Sequence, residues 1–246
     1  MPPRFFVDAP LHAGVTLGLP AGAARHAQVL RLQPGDAVTL FDGRGGEWDA
    51  EVLRMGRSEV QARLRQRHEV ERELPLAVVL ALGMPANERM DALVEKATEL
   101  GAAAIEPLVC ARSVLRPDPE RAQRRRAHWQ AVAVAAAEQS GRTRVPQVHP
   151  VRSWAQAFAD PSASDTQFVL SLRPTAVPWP EAAGARIADG RRVRLLSGPE
   201  GGLTDQEERL ALAAGALAVS LGARTLRADT APLAALAAIA LQWAGR

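Results

Sequence analysis

Leu195-Leu196-Ser197-Gly198-Pro199-Glu200-Gly201-Gly202-Leu203-Thr204 reads as a buried apolar strand running into a glycine-rich loop and then a helix start. A second stretch, Ser220-Leu221-Gly222-Ala223-Arg224-Thr225-Leu226-Arg227-Ala228-Asp229-Thr230, reads the same way. Two such loops at the carboxyl ends of neighbouring strands make a ligand site in an α/β fold. Glycine removes the Cβ that would hold a flat ligand away from backbone N–H and C=O groups. The spacing does not match G-x-x-x-x-G-K-[ST], and no G-x-G-x-x-G follows a predicted strand. The two loops therefore suit a nucleoside-like ligand held by backbone rather than a cradled triphosphate.

Outward from these loops, strands alternate with helices from Pro75 onward. Apolar runs predict strands at Leu76–Leu82, Ala103–Val109, Phe168–Leu172, Val193–Leu196 and Leu217–Leu221. Helical patterns occupy Glu88–Leu100, Pro119–Ser140, Ser153–Ala159, Thr204–Ala214 and Pro232–Trp243. That alternation implies a mostly parallel sheet with helices on both faces. Thr204 and Glu207 have capping-box spacing, and Gly101, Gly141 and Gly215 are the expected helix stops. The Pro- and Ala-rich stretch Pro174–Ala185 reads as a surface excursion. Residues 1–74 follow a different pattern. Val38–Phe41 and Trp48–Met55 read as a hairpin about Asp42-Gly43-Arg44-Gly45-Gly46, and Val60–Val70 alternates as a further strand. Ala21–Leu32 reads as a short helix ended by Pro34-Gly35. The charged segment Arg65–Glu73 separates the patterns. The chain is thus expected to divide near Leu74 into a small β-barrel, residues 1–74, and an α/β domain, residues 75–246.

The 246 residues are 47% hydrophobic, too apolar for a disordered chain. One cysteine, Cys110, excludes an internal disulfide framework and points to a reducing compartment. No uninterrupted apolar run reaches a membrane-spanning length, and the N-terminus lacks the apolar stretch of a signal peptide, so a cytoplasmic protein is expected. The histidines show no metal-ligand spacing, and no metal is expected. Nearly all cations are arginine, whose forked guanidinium suits phosphate contacts and base stacking. Residues 1–74 balance ten arginines against ten acidic residues, so the net charge of +3 falls in the second part. Arg112, Arg116, Arg121, Arg124, Arg125 and Arg126 make the strongest basic patch.

The two loops resemble the hallmark motifs of the bacterial ribosomal RNA small-subunit uridine N3-methyltransferases, which belong to the SPOUT class of S-adenosylmethionine-dependent RNA methyltransferases. Arg4-Phe5-Phe6, His26–Arg31, Phe41-Asp42-Gly43, Lys96–Gly101, Arg112-Ser113 and Glu138–Arg142 are similar to other segments of that family, so the resemblance spans nearly the whole chain. It implies an N-terminal PUA-like RNA-binding β-barrel and a C-terminal SPOUT α/β domain with a trefoil knot. It also implies S-adenosyl-L-methionine in the knot, a homodimer, and small-subunit ribosomal RNA in the 30S particle as substrate. One departure stands out. The family's Arg-Thr-Glu-Thr-Ala reads here Arg227-Ala228-Asp229-Thr230-Ala231, with the carboxylate one methylene shorter.

On this resemblance the cofactor site comprises Leu172, Ser197, Gly198, Pro199, Glu200, Gly201, Gly202, Ser220, Leu221, Gly222, Leu226 and Arg227. Arg112, Arg121, Arg124 and Arg125 are expected to hold RNA phosphates. Loss of the uridine N3 proton leaves negative charge on the flanking carbonyl oxygens, which a guanidinium would stabilise. Arg227 is the first candidate, with Arg142 and Arg4 behind it; Arg4 is included because the barrel of one chain would complete the site beside the cofactor. Glu138, Glu200 and Asp229 are candidate bases, and spacing does not choose among them. The final helix, apolar on nearly every side, is expected to serve a dimer interface. Two other readings stay open: a ribose 2′-hydroxyl or another base as the methyl acceptor, and a non-catalytic ribosome-binding protein. The intact loop glycines favour an enzyme.

Overall fold

The computed structural model describes residues 2–57, 59–86, 89–159, 166–187 and 192–243. The chain forms two compact units, Met1–Glu73 with Val134–Val145, and Leu74–Ala133 with Pro146–Arg246.

The first unit holds β1 (Arg4–Phe6), β2 (Thr16–Gly18), α1 (Ala21–Val29), β3 (Ala37–Phe41), β4 (Glu47–Met55) and β5 (Val60–His68). Its sheet runs β1-β3-β4-β5-β2, with β1 parallel to β3 and the other pairs antiparallel. Period-two alternation turns Val38 and Leu40, Ala50 and Val52, and Val60, Ala62 and Leu64 inward, onto Ala23, Ala24 and Ala27 of α1. The β3–β4 turn has positive φ at Gly43, Gly45 and Gly46, as its composition required. Strands β1 and β2 have three residues each, too few for alternation to announce them.

The second unit runs β6 (Ala77–Gly83), α2 (Arg89–Glu99), β7 (Ala104–Val109), α3 (Pro119–Ser140), β8 (Gln147–Val148) and β9 (Arg152–Ser153). A single 3-10 turn (Ala155–Phe158), β10 (Thr166–Leu170), β11 (Val177–Pro178), α4 (Trp179–Arg186) and β12 (Arg192–Ser197) follow. Last come α5 (Asp205–Ala213), β13 (Leu217–Ser220) and α6 (Thr230–Trp243). The final turns of α3 group with the first unit. Every strand pair in this sheet is parallel, in the order β11-β13-β10-β12-β6-β7-β8, with β9 also on β7. Its central strands are apolar on both faces: Val78 to Leu82, Phe168, Val169, Leu195 and Leu196 are buried. The main charge in this interior is a pair. Glu106 of β7 accepts from Arg194 of β12 at 2.6 Å, and Arg194 also donates to Gln167 of β10. Such a pair tolerates burial because each partner neutralises and hydrogen-bonds the other.

Strand β10 lies between β12 and β13, all three parallel, so the loops that follow them leave the sheet at one edge. Helix α6 then packs on β12, β6 and α2, so the chain after β13 returns across the sheet.

Two sequence expectations change. The helix expected over Ser153–Ala159 is the end of β9 and one 3-10 turn. Trp154 and Ala157 are buried there and the Trp154 indole donates to the Glu207 carbonyl, so three residues of spacing served one turn only. The excursion expected over Pro174–Ala185 contains edge strand β11 and helix α4. Trp179 anchors that segment, buried with its ring 5.3 Å from that of Phe168. Proline is compatible with an edge strand and with the first turn of a helix, so its presence does not exclude either element here.

Candidate functional site

A cavity of about 790 Å³ opens at the sheet edge where β10, β12 and β13 end, within the span of small-molecule sites. Three loops line it: Leu170–Pro174, Ser197–Leu203 and Leu221–Ala228. Of the residues expected to hold the cofactor, Leu172, Ser197 through Gly202, Leu221, Gly222, Leu226 and Arg227 line this cavity. Ser220 stands behind the wall; its hydroxyl accepts from Gly222 N–H and braces the second loop.

The first loop is held from several sides. Thr204 caps α5 in a full capping box with Glu207, which stops the chain after the glycines and starts the helix. Arg112, expected to meet RNA, is exposed and donates to the carbonyls of Gly201 at 3.0 Å and Leu203 at 3.4 Å. A Cβ on Gly201 would come 2.9 Å from Cβ of Arg112, so glycine is needed for this clamp. The neighbouring Ala111 N–H donates to Glu207 at 2.6 Å. Beneath the loop, a Cβ on Gly83 would stand 2.5 Å from the Pro199 nitrogen. Glu200 accepts from Ala86 N–H at 2.8 Å and lies 3.8 Å from Arg89.

The second loop differs. Gly222 has φ +108 and faces open space where a Cβ would be. Arg227 turns the chain into α6, its carbonyl accepting from Thr230 and Ala231 N–H. Among the described residues no carboxylate pairs with the guanidinium of Arg227 or Arg224, both exposed on the cavity lining. Asp229 has a buried carboxylate oxygen with no hydrogen-bond partner. This is the position where the sequence carries the shorter acid.

The other candidates lie elsewhere. Arg121 and Arg124 are exposed on α3, paired within that helix turn to Asp118 and Glu120, with Arg125 half-buried beside them. Arg4, Glu138 and Arg142 belong to the first unit, where they are tied into its structure. Arg4 pairs with Glu47, donates to the Arg142 carbonyl and stacks over Phe41. Arg142 pairs with Glu73, and Glu138 accepts from Phe6 N–H at 2.8 Å. Burial raises the Glu138 pKa above the ordinary carboxylate value, against the pull of the Phe6 N–H, His26 and Arg4. Arg4 and Arg142 thus already have carboxylate partners within their own unit.

Of the third loop the sequence indicated Leu172 alone and missed Ser171 and Arg173, with their partners Asp205 and Glu208 on α5. A signal existed: Ser171-Leu172-Arg173-Pro174 follows a parallel strand adjacent to the two that carry the glycine loops. Among the described residues, no group of three or more His, Cys, Asp or Glu converges as a metal site, and no helix is long and apolar enough to cross a membrane.

The family model described as RNA methyltransferase domain matches residues 72–240, and that described as RNA methyltransferase PUA domain matches residues 19–65. The chain is 37% identical to ribosomal RNA small subunit methyltransferase E of a Synechocystis species, over 86% of this chain and 68% of that one. It is 32% identical to the Bacillus subtilis protein of the same name, over 97% of this chain and 96% of that one. Ribosomal RNA small subunit methyltransferase E from Neisseria gonorrhoeae, solved bound to S-adenosyl methionine, superposes with a TM-score of 0.90 at 35% identity, covering 99% of this chain and 98% of that one. A putative methyltransferase from Legionella pneumophila, solved with the same cofactor, gives a TM-score of 0.91 at 30% identity over 98% of both chains. Matched along both units in sequence and in fold, this chain belongs to the RNA methyltransferase family that includes the small-subunit methyltransferase E proteins.

Proposed function

We propose that the protein transfers a methyl group from S-adenosylmethionine to N3 of a specific uridine in small-subunit ribosomal RNA, on the assembled subunit or a late precursor. The observation that carries this reading is the convergence of both glycine loops on one cavity, where Arg224 and Arg227 have no carboxylate partner among the described residues. The residues fit the cofactor. Gly202 and Gly222 leave space where a Cβ would stand, and Leu172, Leu221 and Leu226 supply apolar surface. When bound there, S-adenosylmethionine supplies an electrophilic methyl group. The chain's own work is positioning, which contributes much of the rate in an in-line displacement. Arg227 faces the acceptor, stabilising charge on the uridine carbonyl oxygens as N3 loses its proton. Arg121, Arg124 and Arg125 hold phosphates. Arg4, Glu138 and Arg142 act in this reading as the internal frame of an RNA-binding first unit, Met1–Glu73 with Val134–Val145. The protein works as a homodimer through α6, and the return of the chain after β13 closes a trefoil knot around the cofactor loops.

The test is methylation of small subunits purified from cells lacking this protein, followed by nucleoside mass spectrometry mapped to one position. Appearance of 3-methyluridine is the expected result. A ribose 2′-O-methyl group or a methyl on another base would replace the uridine assignment with the alternative acceptor, and no incorporation would leave a binding protein.

A further inference from the structure

Leu172 lines the cavity with 75% of its surface exposed, although its neighbours on both sides are anchored. Ser171 is buried, and its N–H donates to the Val219 carbonyl of β13 at 2.9 Å. Its hydroxyl donates to Glu208 at 2.6 Å and accepts from Arg173 N–H at 3.1 Å. The Arg173 guanidinium donates to the other oxygen of Glu208 at 2.8 Å and to Asp205 at 2.7 Å. Glu208 is itself buried on α5, the helix that begins where the first glycine loop ends. One buried carboxylate therefore holds both residues that flank an exposed leucine. It also links the third loop to the helix that fixes the first.

A leucine on a free loop would fold back onto the protein to leave water. Here two anchors prevent that. The network is satisfied by charge-assisted bonds, the stronger class of hydrogen bond. From this geometry we infer that Ser171, Arg173 and Glu208 are positioning residues that present Leu172 as a preformed apolar wall for the nucleoside face of the methyl donor. The inference rests on the reading of the cavity as the S-adenosylmethionine site. Preorganisation of this kind lowers the ordering cost of binding and acts on donor affinity rather than on the chemical step.

Calorimetry of S-adenosylmethionine and S-adenosylhomocysteine binding to the full-length protein tests this, together with amide hydrogen exchange of Leu170–Arg173 in the donor-free protein. Ser171→Ala and Glu208→Gln should each raise Kd about 3- to 10-fold, the scale of one net hydrogen bond. Turnover at saturating donor should stay within about twofold of wild type. Glu208→Ala should be weaker than Glu208→Gln, which keeps an acceptor for Ser171. Leu172→Ala should lose affinity while leaving loop protection unchanged, because it removes the wall and not the anchors. Wild-type Kd in folded Ser171→Ala and Glu208→Gln overturns the inference, as does unchanged loop protection in Glu208→Ala. Failure of the wild-type protein to bind either ligand would instead sink the reading of the cavity, and the wall would lose its ligand with it.

Discussion

Arg227 and Arg112 show how alike two arginines can look in a sequence and how differently they act in a fold. Both were candidates for RNA or its reacting base. Arg112 is a clamp on the carbonyls of Gly201 and Leu203, whereas Arg227 has no carboxylate partner among the described residues. Arg227→Ala should therefore lower kcat by about 10²-fold or more, the scale of a lost charge-stabilising donor, with donor Kd within about threefold. Steady-state kinetics beside calorimetry would separate the two, and wild-type turnover in the variant would remove Arg227 from the mechanism. Gly83 carries a different constraint. Its Cβ in Gly83→Ala would meet Pro199 backbone at 2.5 Å and Cys110 sulfur at 2.9 Å, and backbone cannot rotate aside. Overpacking there should cost about 1–3 kcal/mol in urea unfolding and disturb the first loop. Cys110 itself is buried, and burial with the nearby Glu207 pushes its thiol up to about 12. It should resist alkylation at pH 8 in the folded protein and react after denaturation; rapid native labelling would show the site opens.

Among the elements, α5 and the core of the first unit carry the clearest energetic consequences. The capping box that starts α5 also fixes the exit of the first glycine loop, because Glu207 accepts from Thr204 and Ala111 together. Thr204→Ala should cost about 1 kcal/mol by denaturant unfolding. The first unit holds two half-buried carboxylates of opposite tendency. Burial pushes Glu47 up, but hydrogen bonds from Arg72 and Arg4 outweigh it and hold the pKa below 4.5. Ionised Glu47 therefore adds stability above pH 4.5, lost as pH falls through its lowered folded value. Glu138 has the reverse sign. Its pKa is raised above 4.5 by burial, so its contribution is greatest in acid and declines as pH rises through 4.5 to the folded value. Glu138→Gln keeps an acceptor for Phe6 N–H and removes the half-buried charge. It should be as stable as wild type or more so at pH 7, with the difference vanishing below pH 4.5. Glu47→Gln should be destabilised at pH 7. Thermal unfolding across pH reads both, and identical profiles for the two variants would refute the assignment.

For the molecule as a whole, α6 is the element whose role a single chain leaves incomplete. Ala235, Leu236 and Ile239 are fully buried, but Leu233 and Ala240 are half-exposed and Leu241 is 75% exposed. The side chain of Trp243, also expected at this interface, lies outside the described residues. Covering one leucine is worth roughly 1.5–3 kcal/mol. Light scattering should give about twice the chain mass of 26.3 kDa, and Leu241→Arg should shift the protein toward monomer. A monomeric wild type at micromolar concentration would exclude the interface.

Local chemistry was legible in the sequence wherever a short stretch specifies its own backbone. The capping box at Thr204, the turn at Gly43 to Gly46, the central parallel strands and the two glycine loops depend on residues within a few positions of one another. A change of pattern near Leu74 is a local feature, whereas the grouping of Val134–Val145 with the first unit joins residues far apart in sequence. Partnerships between distant residues were decided only by tertiary structure. Arg112 reaches Gly201 across 89 positions, Arg142 meets Glu73 across 69, and Ser171 meets Glu208 across 37. Nothing in the residues adjacent to Arg227 or Arg112 tells the one with no carboxylate partner among the described residues from the one bound to carbonyls. Only the strand order that places β10 between β12 and β13 brings the third loop to the cavity, because pairing across a parallel sheet is set by which crossovers can bury both faces.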